Sequence, residues 1–425
     1  ATDGRDKGKP SSWSSSIDKI AFGEAGTTND KSLFCISSGN TDINHVSEYP
    51  QKNIEESIHD PAQAFNALTI GSITHKTVID QAQFRGATPL VQAGGMSPSN
   101  STSLSWENNW ALKPELVLEG GNYGIHNDGI IDPDSLRLLS IGKNFRTEPL
   151  HSFGDTSGAT ALASRYAAML TSQYPMLWPE TIKGLLVHSA DWNSEMLANR
   201  NIEELNNPEQ RDLLRTYGYG MPDFQKAVRS ANNSLTLIAQ ESLSPFVLDG
   251  STVKTNEMHL HSLPWPTEVL TALFDSEVTL TATLCYFIEP NPGNKQYSKS
   301  YYYQSHGLRF KMIDSGESIE HFRERVNREA RMEDQGGTYS GESWIIGNKV
   351  RDKGSTHKDI WKGTAADLAT RNTVAIFPVN GWWRTRKKLL RYNNSVRYSL
   401  ILSIDSSNND IDLYNPVLNQ IDILI

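Results

Sequence analysis

Residues 12–22, SWSSSIDKIAF, place Trp13, Ile17 and Ile20 at helical spacing beside serines able to cap a first turn, which predicts an amphipathic helix. A loop rich in Gly, Thr and Asn follows. Leu33, Phe34, Cys35 and Ile36 then form a continuous apolar run that stops at Ser37-Ser38-Gly39-Asn40. This combination reads as a buried strand ending at the carboxyl edge of an α/β sheet, where ligand chemistry is usually found. Phe65 to Ser72, FNALTIGS, predicts a second buried strand, and Leu116-Val117-Leu118 after Lys113-Pro114 a third. The segments between them, among them GGMSPSNSTSLSW, carry turn chemistry. Thr156-Ser157-Gly158 opens a strong helical pattern whose buried face is expected from Ala159, Leu162, Tyr166, Ala167, Met169 and Leu170. It stops before Pro175, and Pro179 suits the first turn of a further helix, Glu180 to Ser189. Alternating helices and buried strands predict an α/β fold, a parallel sheet flanked by helices.

Beyond about residue 240 the period changes from helical to two. Val278, Leu280, Ala282 and Leu284 alternate with threonines, and Val396, Tyr398, Leu400, Leu402 and Ile404 form a second alternating set. Ile421, Ile423 and Ile425 continue the pattern. Ile319, Phe322, Val326 and Ala330 interrupt it with one charged helix. The expectation is an all-β sandwich or jelly-roll domain with an inserted helix over 243–425, behind an α/β portion over 1–242, with no internal repeat.

The chain's 425 residues, 37% hydrophobic and 21% charged, suffice for two or more domains with separate cores. No stretch approaches the roughly 18 apolar residues of a membrane helix. A net charge of −9 argues against nucleic acid as the main partner, although a local basic patch is compatible with it. Cys35 and Cys285 each sit in an apolar run and read as buried free thiols, which suits a reducing compartment. The opening ATDGRDKGKP has no apolar core of a secretory signal, so the expected location is cytoplasmic.

Ser157 is the strongest chemical signal. A nucleophilic serine needs a hydroxyl on a tight turn, N–H groups aimed at the developing oxyanion and a neighbouring base. A helix N-terminus supplies the first two; an ordinary N-cap serine is the plain alternative. The wider sequence favours the nucleophile. Phe153-Gly154-Asp155-Thr156-Ser157-Gly158-Ala159-Thr160-Ala161 resembles the Gly-Thr-Ser-x-Ala segment of the subtilase family, whose serine is the nucleophile. Ser38-Gly39-Asn40 resembles that family's oxyanion asparagine segment, and Asn66-Ala67-Leu68-Thr69-Ile70-Gly71 the strand after it. Lys113-Pro114-Glu115-Leu116 with Glu119-Gly120 is similar to the segment upstream of the serine, and Tyr217-Gly218-Tyr219-Gly220-Met221-Pro222-Asp223 to the closing glycine-rich segment. The resemblance spans roughly residues 12–230 in the family's order. Asp155, Ala161 and Arg165 depart from it, standing where glycine, proline and a small residue are usual. A carboxylate at 155 would oppose a developing oxyanion unless it points away. The long interval from Asn40 to Ser157 implies inserted loops around 44–60 and 121–150.

The resemblance implies a serine endopeptidase in which Ser157 Oγ attacks the scissile carbonyl, the Asn40 amide and the Ser157 N–H hold the oxyanion, and Ser37, Ser38, Gly39 and Thr156 contact the substrate. Removing such a donor costs about 2.7–4 kcal/mol. No metal or cofactor is implied. In this family Asp and then His precede the oxyanion asparagine, yet no histidine precedes Asn40, and Asp3, Asp6, Asp18 and Asp30 lie in polar contexts. The expectation is that an N-terminal segment carrying Asp and His completes the site. His45, His75, His126 and His151 read as surface or satisfied histidines, and His259 and His261 as a pair without a third metal ligand. Trp382-Trp383-Arg384-Thr385-Arg386-Lys387-Lys388 reads as a tryptophan pair covering a sheet edge beside a solvated basic hairpin, with a docking surface as the alternative. The subtilases most similar in outline include those encoded beside an AAA-type ATPase in bacterial phage-defence or plasmid-incompatibility pairs, which makes such an ATPase an expected partner. Two other readings stay open: a catalytically inactive subtilase-fold binding protein, and a chain whose C-terminal domain alone carries function.

Overall fold

Ser11 accepts hydrogen bonds from the N–H groups of Trp13 and Ser14, and Gly23 in the left-handed region closes the far end of helix α1, Ser12–Phe22. The computed structural model describes residues 7–23, 31–127, 129–228, 234–263, 265, 267–293, 300–334 and 343–406. They form two compact units, Ala1–Leu177 with Ser189–Phe224, and Trp178–His188 with Gln225–Ile425. Helix α1 is turned by one position, about 100°, from the face its apolar spacing predicts, and of that stripe only Ile17 is half-buried. Ser14, Asp18 and Ala21 are buried, whereas Trp13 and Ile20 are 44% and 41% exposed. The cause is polar: the Asp18 carboxylate accepts the N–H groups of Phe65 and Asn66 at 3.0 and 2.7 Å, and Ser14 Oγ donates to Asp60 at 2.5 Å. Leaving those buried backbone donors unsatisfied would outweigh the gain from turning two apolar side chains inward.

Strands β1 (Cys35–Ser37), β2 (Leu68–Ile73) and β3 (Leu116–Glu119) form a parallel sheet in the order β1-β2-β3, with Ile36 opposite Thr69 and Gly71 opposite Val117. Every position of β2 is buried, Thr69 and Ser72 included, as suits the central strand of a parallel sheet. β1 is the edge of this sheet and only half-buried, so Cys35 is partly exposed, while Cys285 is fully buried; neither forms a disulfide. The stretch 44–60 holds a 3-10 turn, Ile43–Glu48, and a short helix, Gln51–Glu55. The stretch 121–150 supplies small antiparallel hairpins, the last being β4 (Leu138–Ile141) with β5 (Leu150–Phe153). β5 leads into helix α2, Asp155–Gln173, which packs across all three parallel strands. Its buried stripe is Thr156, Gly158, Ala159, Ala163 and Leu170, small residues that let helix and sheet approach closely. Leu162, Tyr166 and Ala167 are half-buried, and Met169, expected inside, is 39% exposed because it falls one position off that stripe.

In the second unit, helix α3 (Pro179–His188) is buried from Glu180 to its end. Four antiparallel strands, β6 (Ser234–Leu243), β10 (Glu277–Tyr286), β12 (Thr356–Thr364) and β14 (Val396–Ser406), make one sheet in the order β6-β14-β10-β12. β9 (His259–Ser262), β11 (Gly307–Met312) and β13 (Thr373–Val379) make another, in the order β9-β13-β11, and β7 (Phe246–Asp249) pairs with β8 (Thr252–Thr255) as a separate hairpin. Tyr398 on β14 joins the sheets by placing its hydroxyl 2.7 Å from both His259 Nδ1 and His261 Nε2 on β9, so the histidine pair meets a phenol. Among the described residues no group of three metal-ligating side chains occurs. The inserted helix α4, Ile319–Asp334, covers β13 through Phe322 and Val326 against Ala375, Phe377 and Val379. Both α3 and β6 belong to this unit, although α3 and all but the last residue of β6 lie within residues 1–242. Ile421, Ile423 and Ile425 lie outside the described residues. Among the described residues no helix is long and apolar enough to cross a membrane.

Candidate active site

The carboxyl end of β1 and the N-terminus of α2 bring Asn40 and Thr156 into contact. Asn40 Oδ1 accepts from the Thr156 N–H at 3.1 Å and from Thr156 Oγ1 at 2.6 Å. Thr156 is buried and its hydroxyl lies 3.2 Å from the Gly39 carbonyl, so it supports Asn40 from beneath rather than facing solvent. Asn40 and Ser157 are both exposed, and Asn40 Nδ2, Ser157 Oγ and the Ser157 N–H have no hydrogen-bond partner among the described residues. A hydroxyl and two donors without partners therefore belong to two exposed residues at the start of one helix, where the helix dipole favours negative charge.

The chain before Asn40 is fixed at several points. The Ser38 carbonyl accepts from the His59 N–H at 2.8 Å and from Ser101 Oγ at 2.9 Å, and Ser101 Oγ lies 3.0 Å from the Gly39 carbonyl. Ser37 pairs with Ile70 on β2, and Thr41 N–H donates to Ser99 O at 3.0 Å. Gly39 takes φ +99°, and a Cβ there would lie 2.4 Å from His59 Cγ, so both backbone conformation and space demand glycine. His59 Nε2 is 3.2 Å from Glu56 Oε1. Neither His59 nor Ser101 carries a sequence signal of this support, because both act through inserted or turn-rich segments.

Asp155 answers the concern raised by its position. It adopts φ 62° and its N–H donates to the Gly120 carbonyl at 2.6 Å, while its carboxylate turns to Arg137 Nη1 at 2.9 Å. Arg137 also forks onto Asp132 through Nε at 2.5 Å and Nη2 at 2.7 Å. Burial works against the guanidinium's charge, but Asp132 and Tyr123 raise its pKa above the ordinary value. The negative charge at 155 is thus held by a cation supplied from the 121–150 insertion. Asp132, Asp134, Arg137, Ser152, Phe153, Gly154 and Asp155 line an open polar cleft of about 220 Å³ beside the start of α2.

Histidines do not complete this group among the described residues. His45 pairs with Glu48 at 2.6 Å, His75 lies 3.7 Å from Glu119, His126 contacts Asn127 at 3.4 Å, and His151 sits 3.5 Å from Glu148 on the hairpin. Asp18 is consumed by backbone N–H groups of Phe65 and Asn66.

The sequence model of the subtilase family matches residues 1–220. Among solved structures, MycP1 from Mycobacterium smegmatis is 17% identical, with 46% of this chain and 41% of that one covered and a TM-score of 0.24. A protease from Pseudoalteromonas arctica is 14% identical over 50% of this chain and 57% of that chain, with a TM-score of 0.28. The subtilase cytotoxin SubAB is 18% identical over 53% and 55%, with a TM-score of 0.26. The chain thus spans less than half the length of the MycP1 structure it matches. No curated protein matches.

Proposed function

Because the chain belongs to the subtilase family of serine proteases, we propose that it hydrolyses peptide bonds through an acyl-enzyme on Ser157. The observation that carries this reading is the Asn40 amide, whose Oδ1 is held by Thr156 while its NH2 group and the Ser157 N–H are unpaired among the described residues. Ser157 Oγ attacks the scissile carbonyl carbon, a base takes the hydroxyl proton, and the carbonyl oxygen becomes an anion held by the two donors. Collapse expels the amine, which receives the proton back, and water then repeats the sequence to release the acid. The base and its orienting carboxylate are assigned to a segment outside residues 1–425 that carries His and Asp, since no described histidine bonds to Ser157. An AAA-type ATPase as partner rests on the outline resemblance alone.

A fluorophosphonate probe tests the assignment. Ser157 is labelled in the polypeptide that includes the His- and Asp-bearing segment, and Ser157→Ala abolishes labelling. Absence of labelling in that complete polypeptide, with the fold intact by circular dichroism, would leave the inactive binding-protein reading in its place.

A further inference from the structure

On a chain of net charge −9, the stretch from Gly381 to Ile404 carries Arg384, Arg386, Lys387, Lys388, Arg391 and Arg397 and no Asp or Glu. Its beginning is firmly anchored. Trp382 and Trp383 open a short helix, Trp382–Thr385 (α5), and are 1% and 0% exposed. Their indole N–H groups donate to the Glu289 carbonyl at 2.9 Å and to Glu289 Oε2 at 2.6 Å, and their main-chain N–H groups to Gln304 O and Ser305 O. The turn after α5 is closed by its own backbone: Arg386 N–H to Trp382 O at 2.8 Å, Leu389 N–H to Arg386 O at 2.9 Å, and Leu390 N–H to Lys387 O at 3.0 Å. The tryptophan pair thus forms a buried anchor, and the segment it holds presents a fixed surface.

The charge on that surface is uneven. Arg391 faces Glu289 at 3.3 Å, and Arg397 faces Glu180 at 2.9 Å. Arg386 bonds to the Asn291 amide oxygen, Lys387 to the Ser251 carbonyl at 3.1 Å, and Lys388 to nothing among the described residues. Asp249, on the adjoining β7–β8 hairpin, is held by Lys254 at 2.6 Å. Arg386, Lys387 and Lys388 therefore stand side by side without a carboxylate partner among the described residues. Beside them Leu389 and Leu390 are 40% and 68% exposed, and Leu390 adopts φ 56°, a conformation unfavourable for a bulky side chain.

We propose that Arg386–Leu390 docks a short acidic segment of a partner protein that also carries apolar side chains. Three uncompensated cations next to two exposed leucines match interleaved carboxylates and apolar groups. A nucleic acid gains nothing from the leucines, and the aromatic rings of this segment are buried and cannot stack on bases. A short segment engages this patch alone, whereas an extended polyanion or an anionic membrane must also approach a chain of net charge −9.

The test uses the full chain and a fluorescein-labelled peptide of Glu-Glu-Leu repeats, about twelve residues long, read by fluorescence anisotropy. Saturable binding is expected, weakened roughly tenfold by Lys387→Glu/Lys388→Glu, roughly threefold by Leu390→Ser, and by added salt. A single-stranded DNA oligonucleotide and phosphatidylserine vesicles are expected to bind roughly tenfold more weakly than the peptide. The substituted side chains are exposed, so matched circular dichroism and melting curves keep the comparison clean. Unchanged peptide affinity in either variant, no peptide binding, or equal or tighter binding of DNA or vesicles would overturn the proposal.

Discussion

Replacing Thr156 by valine keeps the side-chain volume and removes one hydroxyl. That hydroxyl has a single hydrogen, and the 2.6 Å contact to Asn40 Oδ1 takes it in preference to the 3.2 Å contact to Gly39 O. Without it, Asn40 is oriented only by the Thr156 N–H at 3.1 Å. Losing one buried hydrogen bond costs about 1 kcal/mol of stability, which thermal melting reads directly. The catalytic effect is larger than zero but smaller than deleting the donor, because the amide is still present and merely less well aimed. Deleting it, as in Asn40→Leu, removes about 2.7–4 kcal/mol of transition-state stabilisation. The expected ordering of fluorophosphonate labelling rates, measured on the polypeptide that carries the base, is therefore about a tenfold loss for Thr156→Val and about 10²–10³ for Asn40→Leu. In the double variant Thr156→Val should add less than about twofold, since the hydroxyl acts through Asn40. An equal loss from Thr156→Val with and without Asn40, or no loss in either, would refute the reasoning.

Three further outcomes follow from the same geometry. Gly39→Ala combines a disfavoured φ with a 2.4 Å clash against His59 Cγ and is expected to destabilise by about 2–4 kcal/mol in denaturant unfolding, with His59→Ala restoring only the clash component; full restoration or none would contradict it. Arg137→Met frees the Asp155 carboxylate beside the nucleophile and should slow labelling roughly tenfold, with Asp155→Gly in the same background recovering most of it; a rate unchanged by the first substitution rules out the shielding role. His188 and His357 are buried, and burial lowers both pKa values, that of His357 to about 3. The unfolded chain takes up those protons near pH 6.5 and the folded chain does not, so stability is lost as pH falls below that value, by about 2 kcal/mol at pH 5 for His357 alone. His357→Gln should flatten the fall in melting temperature between pH 7 and pH 5, and an unaltered slope would show that this histidine is not the cause.

The parallel strands were legible because 33–36 and 116–118 are short apolar runs and 65–72 is largely apolar between turn-rich segments, and the second domain's strands because apolar and β-branched residues alternate with period two. Helix α1 shows where that reading stops. Periodicity locates a helix but not the face it buries when a buried carboxylate such as Asp18 has backbone donors to satisfy. Met169 fails for a related reason: close packing of α2 on the sheet selects small residues, and hydrophobicity alone does not rank them. At the site, Asn40 and Ser157 stand out locally, one after a buried strand and one at a helix start. Arg137, Ser101 and His59 do not, because their contribution is a contact across 18 to more than 60 residues that no local pattern encodes. A charge-reading of Asp155 from sequence alone suggests interference, and only the ion pair with Arg137 reverses it.

Backbone strain beside the nucleophile bears on what Asp155 contributes to the site. Asp155 holds φ 62° two residues before Ser157, and Gly39 holds φ +99° one residue before Asn40. A non-glycine residue in the left-handed region costs about 1–2 kcal/mol, and it persists only where surrounding contacts over-determine it. At 155 those contacts are the Gly120 carbonyl at 2.6 Å and Arg137 at 2.9 Å, and together they set the turn that lifts Ser157 into solvent. Glycine, the residue usual here in the family, would take the same turn without strain and without a charge for Arg137 to hold. The comparison that decides is therefore Asp155→Gly in an otherwise unaltered site. A labelling rate within about twofold of the parent, with stability kept or raised, is expected if Arg137 does no more than shield the carboxylate, whereas a rate roughly tenfold slower would show that the carboxylate itself positions Ser157 and would contradict the recovery expected of Asp155→Gly in the Arg137→Met background.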